Sequence, residues 1–148
     1  MNRNQIAAIA SALLVVVVVV LGFRALGGPR KQRLLQQDIR TIQKLAELTR
    51  QIHAKWTSSN KILPADLTSF PKALTEDPTT HQPFTYRRKS DNQYELCAVF
   101  VADASTNQPA GPNGQENFWA HTKGEHCFPF GANDQVWPVY YPMGPFGE

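Results

Sequence analysis

The chain has 148 residues, 42% of them hydrophobic, with a formal net charge of +3 and only two cysteines. Of its 15 basic residues only Arg3 and Arg24 precede Gly27, and all 12 acidic residues follow it, so the rest of the chain is close to neutral. Interspersed charge of this kind excludes an electrostatic nucleic-acid footprint, and the two cysteines show no CxxC, zinc or CxxCH spacing.

Residues 1–28 read as a membrane anchor. Ile6 to Phe23 is an uncharged run of 18 apolar or small residues, which as a helix spans roughly 27 Å, close to the roughly 30 Å hydrocarbon thickness of a bilayer. The six valines Val15 to Val20 favour helix only where the backbone has no other partner, as in lipid. A cleaved signal peptide is the rival reading, with Ala25-Leu26-Gly27 as its cleavage site, but the length of the run and Arg24 speak against it. The expectation is that Met1 and the whole span persist. Orientation draws conflicting advice, because Arg24, Arg30, Lys31 and Arg33 follow the span and would hold the C-terminal part inside. A disulfide between the two cysteines would instead place that part in an oxidising compartment. The resulting expectation is a single-pass protein of a bacterial inner membrane, in contact with membrane lipid, with its C-terminal domain in the periplasm or outside the cell.

Residues 29–60 read as an amphipathic helix. Gly27, Gly28 and Pro29 break the chain before it, and Leu35, Ile39, Ile42, Leu45, Ile52 and Trp56 recur at three- and four-residue steps or their multiples. Without sustained heptads, the stripe is expected to pack on the domain's own sheet rather than in a coiled coil.

Residues 61–130 read as a small antiparallel β domain. Pro64, Pro71 and Pro78 leave room for only a short helical turn. Two strands, 83–89 and 93–101, flank a Ser90-Asp91-Asn92 hairpin. Tyr94, Leu96, Ala98 and Phe100 then share one face with Phe84 and Tyr86, while Cys97, Val99 and Val101 lie on the other. Residues 103–116 have loop composition, and "NFWAHTKGEHCFPF" supplies one or two further strands around Lys123-Gly124. Cys97 and Cys127 are expected to form a disulfide between the central and final strands.

Residues 131–148 read as an extended tail, too aromatic for ordinary disorder. Trp137, Tyr140, Tyr141 and Phe146 are candidate partner-binding anchors on a backbone held extended by prolines. The stretch from Phe128 onward is expected to dock on another subunit; the alternative is that Val139 and the aromatics cover the chain's own Cys97 face.

"DPTTHQPFTYRRKSDNQYELCAVF" followed by "FWAHTKGEHCFPF" resembles the soluble region of bacterial single-pass proteins related to type IV pilins and type II secretion pseudopilins. The resemblance implies an α+β fold, a long helix packed on a small antiparallel sheet, and an envelope-facing module without catalysis. The chain lacks the prepilin leader signature, since no acidic residue precedes Asp38 and its Gly22-Phe23 pair closes the apolar run.

Candidate chemistry is sparse. His121, His126, Cys97 and Cys127 could together ligate zinc or copper, but oxidised cysteines do not bind as thiolates, so no metal is expected. His53 and His81 stand alone. No nucleophile elbow, phosphate loop or separated acid pair is present, so no catalytic residue and no cofactor is assigned. The functional expectation is a non-enzymatic, membrane-anchored accessory or structural subunit of a larger bacterial envelope complex, in contact with its other protein subunits. The alternative is a pilin-like component or free-standing binding module of a secretion system.

Overall fold

A computed structural model describes residues 3–26, 29–104, 108–136 and 138–139. Its elements run α1 (Arg3–Leu26), α2 (Pro29–Ser58), α3 (Lys72–Thr75), β1 (Thr85–Arg88), β2 (Gln93–Phe100), a 3-10 turn at Pro112–Gly114 and β3 (Gly124–Gly131). The chain divides into two compact units, Met1–Arg33 and Leu34–Glu148.

The first unit corrects the expected anchor. Among the described residues, no helix is long and apolar enough to cross a membrane. The single-pass transmembrane element and the inner-membrane location rested on that span, and the periplasmic or external placement of the C-terminal domain presupposed it, so all three are withdrawn. What α1 does show is apolar surface: Leu13, Leu14 and every residue from Val15 to Leu21 remain 46–67% exposed.

In the second unit a long helix and a three-stranded antiparallel sheet make an α+β architecture, with strand order β1-β2-β3. Helix α2 opens on Pro29, a residue whose fixed φ and missing N–H suit a first helical position. It ends where Asn60 and Lys61 adopt left-handed φ values of 51° and 62°. There the Lys61 amide turns back to donate to the Trp56 carbonyl. Between these ends Ile42, Leu45, Leu48, Ile52 and Trp56 are buried. Leu35 and Ile39, the first two positions of the expected stripe, are only half-buried.

The 90–92 hairpin closes through the Lys89 and Ser90 amides, both donating to the Gln93 carbonyl. Its register places Tyr86 opposite Leu96 and Arg87 opposite Glu95. On the other side of β2, Tyr94 faces Phe130, Leu96 faces Phe128 and Cys97 faces Cys127. Alternation therefore sends Tyr94, Leu96, Ala98, Phe100, Phe128 and Phe130 into one core with the α2 stripe, Leu63, Phe84 and Trp119. Aromatic rings fill much of it, with Tyr94 stacked on Phe130 at 5.5 Å and Trp119 against Phe128 at 5.0 Å.

Two loop expectations change. Within 103–116, residues 105–107 lie outside the described set, but Gly111 and Pro112 are buried. Asn113 is tied across to Asp134 and Gln135 by hydrogen bonds of 3.0 and 2.9 Å. The stretch after Phe128 does not begin as a docking segment: Phe128, Phe130, Ala132 and Val139 all belong to the core. The β3 alternation continues through Phe130 and the following residues fold back, so the domain completes its thin core with the first part of its own tail.

Candidate functional site

The outer face of the sheet carries both cysteines of the chain. Cys97 on β2 and Cys127 on β3 are in direct register and joined by a disulfide, with their Cα atoms 3.9 Å apart. Such closeness belongs to the non-hydrogen-bonded pairs of an antiparallel ladder, where side chains meet across the strands. Cys97 is 1% exposed, whereas Cys127 is half-buried. Val99, two residues along the same face, is 48% exposed, so this face is covered around Cys97 and open beside it.

A small polar cleft flanks Cys97, lined among others by Asp77, Thr80, Gln82, Thr85 and Glu125. The Asp77-Pro78-Thr79-Thr80 turn that forms one wall is organised by a single carboxylate. Asp77 Oδ1 accepts from the Thr79 amide at 2.8 Å, the Thr80 amide at 2.7 Å and the Thr80 hydroxyl at 3.1 Å. Its Oδ2 accepts from Thr41 Oγ1 on α2 at 2.5 Å. Burial by itself would raise the Asp77 carboxyl, but these donors outweigh it and hold the group below the ordinary carboxylate value. The turn is thereby fastened to the helix.

Glu125 closes the other side. It projects from β3 on the face of Cys127, two residues away, as strand alternation requires. One ligand atom from each of Cys97, Glu125 and Cys127 lies within 4.8 Å of the others. Arg87 Nη2 stands 3.8 Å from Glu125 Oε1 and partly balances its charge.

The histidines considered as companions of the cysteines are not in that cluster. His126, between Glu125 and Cys127 in sequence, takes the other face of β3 and packs on Phe128 with ring centroids 4.9 Å apart. Its pKa is lowered, first by burial and then by His121 nearby. His121 stacks on Phe100 at 3.9 Å, and its Nδ1 lies 2.8 Å from the Trp119 carbonyl. A carbonyl only accepts, so Nδ1 carries a proton. Nε2 then faces Asp38 Oδ2 at 3.6 Å, beyond hydrogen-bond reach. Asp38 is itself satisfied by the Val101 and Ala102 amides, each at 2.9 Å. This buried carboxylate joins α2 to the end of β2.

His53, expected to stand alone, is engaged: its Nε2 is 2.9 Å from the Tyr94 hydroxyl. Burial lowers the His53 pKa, against a raising influence of the Asp134 charge and backbone. Burial likewise raises the Tyr94 phenol. Tyr94 is buried in the core, and His53 lies half-buried at its edge.

Of the four aromatic anchors assigned to the tail, Trp137, Tyr140, Tyr141 and Phe146 all lie outside the described residues. Their neighbour Val139 is buried, and its carbonyl is 3.4 Å from the Gln43 side-chain amide on α2. Asp38 and Asp77 were missed as organising groups. A signal existed for Asp38, which falls on the helical stripe at 38, 42, 45, 49, 52 and 56, where a carboxylate must find donors if it is to be buried. Compared with known proteins, the chain matches no family, no curated protein and no solved structure.

Proposed function

We propose that the chain is a non-catalytic accessory or structural subunit of a larger protein assembly. The single observation that carries this reading is the apolar surface of α1, where Leu13, Leu14 and Val15 to Leu21 are 46–67% exposed. Contiguous exposed apolar surface on this scale marks an interaction surface. In this reading α1 is the element that other subunits bury, and the disulfide-linked α+β unit is a rigid body delivered by that contact. Asp38, Thr41 and Asp77 serve rigidity: each joins α2 to a segment near the sheet, so the body recognises partners without reshaping.

A second reading, a pilin-like component of a secretion system, is favoured by one observation: a long amphipathic helix shares its core with a small antiparallel sheet. Both readings assign the chain an assembly role, and they differ in whether the partner is another protein or further copies of this chain.

The test is gentle isolation of the full-length chain from its source cells, compared with a variant carrying Val17→Lys and Val18→Lys. The expected result is a defined set of co-purifying chains with the native sequence and their loss in the variant, while the variant's melting temperature is unchanged. An isolated monomer in both cases would contradict the reading, and self-association alone would favour the second.

A further inference from the structure

We propose that reduction of the Cys97–Cys127 disulfide uncovers a site for a thiophilic divalent cation, zinc by its chemistry, with the two thiolates and the Glu125 carboxylate as ligands. The placement is already made by the sheet. Direct register of Cys97 with Cys127 is set by backbone pairing from Gln93–Gly131 to Phe100–Gly124, so it does not depend on the covalent bond. Glu125 lies on the same face, and the three potential ligand atoms fall within 4.8 Å of one another. Among the described residues this is the one such cluster.

The donor set selects the ion. Two thiolates favour zinc over hard cations such as magnesium and calcium, and a carboxylate is an accepted third zinc ligand. Asp77, also on the cleft, does not complete the set, because Thr41, Thr79 and Thr80 already occupy both its oxygens. The fourth position is therefore left to solvent from the cleft beside Cys97. Arg87, 3.8 Å from Glu125, opposes the cation and tunes the site downward.

The chemistry balances. A dithiol donor attacks one sulfur of the disulfide, forms a mixed disulfide and then closes on itself, so that two electrons and two protons pass to Cys97 and Cys127 while the donor is oxidised to its own disulfide. Zinc then displaces the two thiol protons to solvent. Cys127 is the sulfur open to attack, since it is half-buried and borders a second, wider groove of about 400 Å³ beside Asn117 and Phe118, whereas Cys97 is enclosed. The site is thus gated by redox state.

The experiment uses the full-length chain, reduced by a phosphine, which takes the oxygen of water, and then separated from it by gel filtration without oxygen so that no reductant competes for the metal. Cobalt(II) is titrated as the probe, followed by zinc. The expected result is a saturable thiolate-to-cobalt charge-transfer band at one equivalent, displaced by zinc and absent from the oxidised protein. Glu125→Gln should weaken cobalt binding about tenfold or more, since even a group outside the ligand shell is worth that much. Arg87→Gln should strengthen it. Near-ultraviolet circular dichroism of the reduced protein reports whether the aromatic core persists. An absent band, an equal band in the oxidised protein, or equal affinities for native sequence and Glu125→Gln would overturn the proposal; the last is also what a dithiol in an unfolded chain would give.

Discussion

Helices α1 and α2 follow each other in the chain and treat apolar side chains in opposite ways. In α1 the apolar residues occupy every position from Leu13 to Leu21 and stay about half exposed or more, whereas in α2 they recur at helical spacing and Ile42, Leu45, Leu48 and Ile52 are buried to within 1%. A stripe can be covered by one sheet, and the α2 stripe is. A helix that is apolar all round cannot be covered by a single neighbour, so its stabilisation must come from several surrounding surfaces. The difference separates a unit that completes its own core from an element whose apolar surface stays exposed and which, in the proposed reading, other subunits cover.

The comparison breaks if stability does not reside in the α+β unit. The largest effect should come from replacing both Cys97 and Cys127 by alanine, which releases a loop with a sequence separation of 30. Chain-entropy reasoning gives a loss of roughly 3 to 4 kcal/mol, measurable by denaturant unfolding against the intact protein. Next is Asp38→Ala, which leaves the Val101 and Ala102 amides without their acceptor. It should cost about 2 to 3 kcal/mol. Asp38→Asn, which keeps one carbonyl oxygen, should cost less.

A smaller effect sharpens the same contrast through pH. The folded state lowers the His53 and His126 pKa values from 6.5, so the unfolded chain takes up those protons more readily. Stability present above about pH 6.5 is then lost as pH falls toward the folded values. Asp77, also lowered, adds a further loss below its ordinary value of 3.8. His53→Gln should remove part of the first decline, with His126 accounting for the remainder, and urea midpoints between pH 5 and 8 would show it.

Much of the domain could be read from local pattern. The 90–92 hairpin was visible because turn residues separate two alternating strands, and the inward positions of Tyr94, Leu96 and Phe100 followed from period-two alternation. The third strand was blurred because Gly124, Pro129 and Gly131 dilute its β signal, and the inward position of Phe130 depends on its pairing with Tyr94. Asp77 looked like an ordinary turn residue, because its bond to Thr41 spans 36 positions of sequence. Sequence proximity cannot show such a contact. The disulfide was legible by elimination, with two cysteines and no metal spacing, but Glu125 beside it required the register of β3. The anchor reading was drawn from the length of the uncharged run Ile6 to Phe23, and among the described residues no helix is long and apolar enough to bear it out.

The most direct measurement removes residues 1–33 and compares the remaining domain with the full-length chain by thermal unfolding and by size in solution. The account expects Leu34–Glu148 to unfold cooperatively at nearly the melting temperature of the intact chain while its association with other subunits is lost. A truncated domain that fails to fold, or one that keeps every partner, would contradict it.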